Sequence, residues 1–314
     1  MLSVMCPAFN EELYIEQVLK FFITSKPVEK ELFIIDGGST DRTVEIIKKY
    51  LSYENIHLLH NRDKYVPYAL NMAIPVCKGD VIARIDAHTE YSNDYFEKIL
   101  ETFEKTDADI VGGPYLTKYK SNLQCAVGQI ISSRFGTGHS LVHDTNYDGY
   151  SDTVAYGAFK KEVFTDVGMF DLRLKRNQDD EFFYRAKSLG KKIYLNTEIK
   201  LWYYPRDSYK ALFRQYWQYG IYKPLVLLKI KSEIKMRHLI PSLFSLYCFS
   251  LPIALYVKLW LVPLILYLVL IIIFSFKTKL NFKSKALAMT IFPTIHLAYG
   301  LGMVWGFLSI KKRI

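Results

Sequence analysis

Three acidic stretches carry the residues of this chain that could do chemistry: Asp36-Gly37-Gly38-Ser39-Thr40-Asp41, Asp86-Ala87-His88 and Gln178-Asp179-Asp180-Glu181. The first two each follow an apolar run, Leu32-Phe33-Ile34-Ile35 and Val81-Ile82-Ala83-Arg84-Ile85, that reads as a buried strand. Carboxylates just past the carboxyl ends of parallel strands sit where open α/β sheets bind ligands. The pattern suits a site that holds an anionic, metal-bound substrate and keeps one carboxylate as a base.

Each stretch also has a plainer reading. Asp36 could accept hydrogen bonds from a nucleobase or ribose, or it could only cap its Gly-Gly turn. Asp86 and His88, two apart on an extended segment, fall on the same side and could share a divalent cation with phosphate oxygens. An imidazole in the second place suits Mn²⁺ better than Mg²⁺. The alternative is a surface aspartate beside a histidine bonded to backbone. Asp179 and Asp180 fall in a first helical turn, where one could take a proton from a hydroxyl, helped by a pKa raised by its neighbour. They could equally be ordinary acids at a helix start. Glu181 precedes Arg185 by four residues, so the two should pair on one helix face.

The elements that must position these groups alternate in type. Strands near 2–6, 32–35, 56–59 and 81–85 are separated by amphipathic helices near 10–24, 41–51 and 66–77, a βαβ series that implies a mostly parallel, doubly wound sheet. The turn Pro7-Ala8-Phe9-Asn10-Glu11 leads from the first strand into a helix, whose N-terminus offers free N–H groups to a phosphate or a base edge. From about 111 to 205 the alternation breaks into short elements, with a helix from Asp179 to Leu189 and a strand from Lys192 to Leu195.

Charge is unevenly spread. Residues 1–184 carry a balance of −8, residues 185–238 one of +10, and residues 239–314 hold eight basic groups and no acid. Leu239–Val257, Trp260–Phe276 and Ala286–Ile310 are almost wholly apolar and approach the ~20 residues a bilayer core requires. A basic collar before such a tail fits anionic lipid headgroups, and no nucleic-acid motif accompanies it. Lys277, Lys279, Lys283 and Lys285, with the basic stretch before 239, favour a helical hairpin that turns near Lys258 with both ends in the cytosol. A third full span would put Lys311-Lys312-Arg313 outside, so the third segment is either a span that breaks that rule or a re-entrant one. The aromatic stretch Phe213–Gly220 reads as an interfacial helix, or as a wall of an acceptor or diphosphate pocket through Gln215 and Trp217. The expected organisation is therefore 1–205 as the catalytic domain, 206–238 as a basic aromatic interfacial segment and 239–314 as a membrane region. Cys6, Cys77, Cys125 and Cys248 show no disulfide or metal spacing. With no basic leader before the first strand, the N-terminal domain is expected to stay in the cytoplasm.

Taken together these stretches resemble glycosyltransferase family 2. The resemblance runs through Pro7–Glu11, Asp36–Asp41, Ala69-Leu70-Asn71, Gly79-Asp80, Asp86–His88, Gly157–Phe164, Gly168–Asp171 and Asn177–Glu181, about 220 residues in order. Within the family the chain is most similar to membrane-anchored exopolysaccharide glucosyltransferases of the succinoglycan type, which share the Asp-Ala-His variant and a segment like Ile131–Gly138. The resemblance implies an α/β fold of the GT-A type, a Rossmann-like nucleotide-sugar-binding domain, followed by C-terminal transmembrane helices. It also implies inverting transfer of a hexosyl unit from a UDP-sugar to a polyprenyl-linked or other saccharide acceptor at the cell membrane. Pro7, Phe9, Glu11 and Asp36 would line the uridine pocket. Asp86 and His88 would hold diphosphate and a divalent cation, Mn²⁺ or Mg²⁺. Asp179, six residues before Arg185, would be the base, with Asp180 as second choice. Gln215 and Trp217 fall where many relatives carry Gln-x-x-Arg-Trp, without its arginine, which favours single-residue transfer over processive synthesis. Direct transfer to polyprenyl phosphate and a non-catalytic membrane scaffold are the rival readings.

Overall fold

The computed structural model of the protein describes residues 1–138, 140–231 and 234–312. The chain forms two compact units, Met1–Leu116 with Leu141–Tyr203, and Thr117–Ser140 with the chain from Tyr204 onward.

The first unit begins as a βαβ series. Strands β1 (Leu2–Ala8), β2 (Lys30–Asp36), β3 (Ile56–His60) and β4 (Val81–Arg84) alternate with helices α1 (Ile15–Thr24), α2 (Thr43–Lys48) and α3 (Val66–Ala73). After β5 (Glu90–Tyr91) and α4 (Tyr95–Lys105) come β6 (Ile110–Gly113) and β7 (Tyr115–Thr117). The chain then leaves for α5 (Asn122–Ile131) and α6 (Arg134–Thr137). It returns through β8 (Gly149–Tyr150), β9 (Ala155–Lys160), α7 (Val163–Asp166), α8 (Gln178–Ser188), β10 (Ile193–Leu195) and β11 (Leu201–Tyr203).

Eight strands form one sheet in the order β3-β2-β1-β4-β9-β6-β10-β8. β3, β2, β1 and β4 pair in parallel, as do β6 and β10, while β9 and β8 run against their neighbours. Every residue of β2 is buried, and six of the seven in β1. Such continuous burial is what a parallel strand covered by helices on both faces requires. Register fixes the site: Ala8 lies opposite Asp36, and Met5 opposite Arg84. The loops that follow β2, β1 and β4 therefore open at one sheet edge. A small sheet, β5-β11-β7, stands beside the main one.

The second unit is helical: α5 and α6, then α9 (Tyr209–Lys229), α10 (Met236–Phe249), α11 (Val262–Lys277) and α12 (Phe282–Leu308). Segment 117–140, expected within the catalytic domain, groups here because α5 packs its Ala126, Val127 and Ile130 side against α12. The aromatic stretch Phe213–Gly220 lies within α9, which packs lengthwise on α12. Close approach needs glycine at the crossing, where a Cβ on Gly302 would strike the Trp217 carbonyl and one on Gly220 the Tyr299 carbonyl. Of the three apolar segments, two make helices long and apolar enough to cross a bilayer, Lys258–Lys277 and Ser284–Leu308. The first segment breaks at Ser250-Leu251-Pro252, and α10 has 14 residues, about 21 Å against the roughly 30 Å of a hydrocarbon core. Arg313, named above in the basic terminus, lies outside the described residues. His296 on α12 is a packed histidine: Nε2 donates to the Phe135 carbonyl (2.8 Å), and Nδ1 accepts from the Tyr267 hydroxyl (2.9 Å).

Candidate active site

At the carboxyl edge of the sheet the first two loops are stitched together. Asn10, Glu11 and Glu12 donate backbone N–H groups to Ser39 Oγ (2.9 Å), Thr43 Oγ1 (2.7 Å) and Asp41 Oδ2 (3.1 Å), and Thr40 N–H returns a bond to Asn10 Oδ1 (2.8 Å). The polar residues of the Asp36–Thr43 stretch thus hold the turn after β1 in place. Asp36 is buried and accepts from Gly38 N–H (3.0 Å) and Ser39 N–H (3.1 Å), so its carboxylate caps its own turn. Pro7 is half-buried and Phe9 is 46% exposed, an aromatic face open to solvent beside that turn.

One strand further along, Arg84 and Asp86 form an ion pair. Arg84 Nε and Nη2 lie 3.2 and 3.1 Å from Asp86 Oδ1, and Nη2 lies 3.3 Å from Oδ2. Asp86 N–H donates to the Tyr91 hydroxyl (2.7 Å), which fixes the loop after β4. Arg84 is only 5% exposed, and its guanidinium sits 5.3 Å from the centre of the Tyr156 ring. Burial works against its charge, but Asp86 and then Asp179 outweigh that and push its pKa up. His88 Nδ1 stands 3.0 Å from Glu11 Oε1, joining the loop after β1 to the loop after β4.

Asp179 and Asp180 enter from the first turn of α8, where Asp180 N–H donates to Asp179 Oδ1 (3.0 Å). Burial pushes the Asp179 pKa up, the Asp180 charge adds to the rise, and Arg84 opposes it. A carboxyl so placed holds a proton more readily than an exposed aspartate, which suits a general base. Glu181 is fully buried and pairs with Arg185 (Nε–Oε1 2.8 Å, Nη2–Oε2 3.0 Å), as the spacing requires. Cys6 lies among the same groups, and burial together with Asp86 and Glu11 pushes its thiol well up, so it stays protonated.

Asp86 is therefore bonded to the Arg84 guanidinium and Asp179 lies within reach of its charge, with Glu11 and His88 on the adjoining loops. Asp36 stands at the same edge two strand spacings away, about 10 Å. Gln215 and Trp217 belong to the second unit, where Gln215 Nε2 donates to the Tyr219 hydroxyl (3.0 Å) and Trp217 stacks on Phe213. Among the described residues, no group of three or more His, Cys, Asp or Glu side chains is arranged to hold a metal ion unaided. The donor set at Asp86 and His88, one carboxylate and one imidazole, fits a cation that takes its remaining ligands from a diphosphate.

Arg84 and Tyr156 were not singled out as site residues from sequence. A charged residue inside an otherwise apolar strand was the visible signal for Arg84. Tyr156 gave none, because its role depends on a backbone φ of +57° that only the folded chain reveals.

A mostly parallel α/β sheet with acidic loops at its carboxyl edge is the architecture in which open α/β domains bind ligands. The structure is similar to that of mannosyltransferase PcManGT from Pyrobaculum calidifontis in complex with GDP-Man and Mn²⁺, with a TM-score of 0.64, 15% identity, and coverage of 97% of this chain and 87% of that one. It is also similar to S. aureus TarS 1–349 in complex with UDP-GlcNAc, with a TM-score of 0.53, 14% identity, and coverage of 99% and 91%. Residues 3–168, more than half of the chain, match the model of glycosyl transferase family 2. The chain belongs to that family and is a glycosyltransferase. It is 28% identical to the succinoglycan biosynthesis protein ExoA of Rhizobium meliloti over 99% of this chain and 96% of that one. It is 31% identical, over 73% and 74% respectively, to a transferase of Methanococcus voltae, the dolichyl N-acetyl-alpha-D-glucosaminyl phosphate 3-beta-D-2,3-diacetamido-2,3-dideoxy-beta-D-glucuronosyltransferase.

Proposed function

We propose that the protein is a membrane-bound, inverting transferase that moves a hexosyl unit from a UDP-sugar to a lipid-linked saccharide in cell-surface glycan synthesis. The observation that carries this reading is the ion pair of Arg84 with Asp86 at the carboxyl edge, with Asp179 near enough to feel the Arg84 charge and made more basic by burial.

Asp179 takes the proton of an acceptor hydroxyl as that oxygen attacks the anomeric carbon. The new C–O bond forms as the bond to the diphosphate breaks on the opposite side, so the configuration inverts. Asp180 is the alternative base. Asp86 and His88 hold the diphosphate end of the donor, while Pro7, Phe9, Glu11 and Asp36 form the wall for the uridine. A divalent cation bound at Asp86 and His88 would supply positive charge to the leaving diphosphate. Gln215 and Trp217 serve the acceptor or diphosphate.

The naming of the Methanococcus voltae relative for transfer onto a dolichyl-phosphate-linked sugar supports a lipid-linked acceptor. The outer face of α11, with Ile265, Leu268, Val269, Ile272 and Phe276 exposed, suits contact with lipid chains. The basic flanks at Lys277, Lys279 and Lys285 favour a cytoplasmic catalytic domain. TarS bound to UDP-GlcNAc favours uridine, and PcManGT bound to GDP-Man keeps guanosine in the test.

Membranes carrying the full chain are incubated with UDP- and GDP-sugars, and nucleotide release and labelled lipid products are followed. Release of UDP with growth of a lipid-linked saccharide is expected. The Asp179→Asn variant should still bind UDP and lose nearly all transfer; wild-type turnover in that variant refutes the assignment.

A further inference from the structure

We infer that Arg84 is a positioning residue for transfer: a buried cation gripped by Asp86 and seated on the face of Tyr156, which orients the Asp86 carboxylate and fixes positive charge beside Asp179. The inference rests on the reading of Asp179 as the base.

A guanidinium in the interior is costly unless its N–H groups are paired. Arg185 shows a saturated case in the same unit: it binds both oxygens of Glu181 and the carbonyls of Val167 and Met169. Arg84 is more deeply buried, yet its Nη1 has no hydrogen-bond partner. Buried polar atoms left unsatisfied are uncommon and point to a role beyond stability. Here the unpaired donor belongs to the same cation that holds Asp86.

A second observation is independent of charge. Tyr156 supports the guanidinium with a left-handed backbone, φ +57°, which a bulky side chain adopts only under constraint. Its hydroxyl is tied to Thr89 Oγ1 at 2.7 Å, one residue past His88. The strained tyrosine thus contacts both Arg84 and the turn that carries Asp86 and His88.

Arg84 has the character of an orienting group more than of a binding one. Losing it should let Asp86 swing and leave Asp179 facing Asp180 on its own helix and Tyr115 on β7 without an opposing cation. The variants Arg84→Met, Arg84→Lys and Tyr156→Leu of the full chain are assayed in membranes with the active nucleotide sugar, and their folding is followed by thermal melting. Arg84→Met is expected to lose on the order of 10²-fold in kcat, as for a misplaced reacting group, and to raise donor KM, since Asp86 also holds the diphosphate. The acid limb of its kcat/KM profile should move to higher pH, and Arg84→Lys should recover much of the rate and the original limb. Wild-type kcat in Arg84→Met overturns the inference. So do equal losses in the Met and Lys variants with an unmoved pH profile, since that is what a structural role alone would give. If Arg84→Met does not fold, Tyr156→Leu decides with every charge in place: kcat falls in a variant that melts like wild type, or the inference fails. An active Asp179→Asn variant removes the base on which this inference rests, and the inference falls with it. An inactive one beside an unimpaired Arg84→Met removes the present inference alone.

Discussion

The two ends of the main sheet bury carboxylates in opposite ways. At the amino edge, Glu31 on β2 is 5% exposed and accepts from the Ser3 hydroxyl and the Lys78 N–H, each at 2.6 Å, while Ser3 Oγ accepts from Gly79 N–H (2.8 Å). Its bonds go to chain segments that the fold has to join. At the carboxyl edge Asp86 pairs with Arg84, Asp179 lies beside Asp180 at a raised pKa, and Arg84 Nη1 and Gln178 Oε1 lack partners. One end has its polar groups matched for stability. The other tolerates mismatch, as expected where binding energy is reserved for a substrate.

If that contrast is real, removing one acid from each end should have crossed effects. The largest is Asp179→Asn, expected to cut transfer on the order of 10³-fold, within the range of a lost general base, and to raise the melting temperature at neutral pH because a buried, repelled charge is gone. Glu31→Ala should do the reverse. It strands a hydroxyl and an N–H in the interior, costing about 1–3 kcal/mol in a denaturant titration, and leaves kcat per folded molecule unchanged. A stabilising Glu31→Ala or a destabilising Asp179→Asn would erase the distinction between the two edges.

The half of the sheet built from local βαβ units was legible in the sequence, since its strands are continuous apolar runs and its helices amphipathic. The acidic loops at its edge were legible for the same reason: a strand end followed by Asp36 or Asp86 is a local pattern. What escaped depends on distant partners. Asn122–Ile131 has an apolar side whose cover, α12, lies some 150 residues on, and Gln129 meets the backbone of Lys279 at 2.9 Å. Nothing near residue 122 signals that pairing. Trp217 and Gly220 likewise take their place from Gly302 and Tyr299. Asp36 reads from sequence either as a ligand to a base or as a cap; the cap is what its two backbone bonds describe.

The smallest effect, and the most specific to the carboxyl edge, is in pH dependence. Asp179 must be deprotonated to act, and burial followed by the Asp180 charge raises its pKa. Activity should therefore fall on acidification at a higher pH than for an exposed aspartate. The same shift has a stability consequence of defined sign. The folded state holds the Asp179 proton more tightly than the unfolded chain does, so the favourable contribution is complete below the ordinary aspartate range and is lost as pH rises through the raised value. The melting-temperature difference between Asp179→Asn and wild type should then grow from acid towards neutral pH. Glu31→Ala supplies the reference, because its deficit comes from stranded hydrogen-bond donors. A difference for Asp179→Asn that is flat across that window would mean the carboxyl carries no penalty, and the carboxyl edge would then be as well matched as the amino edge.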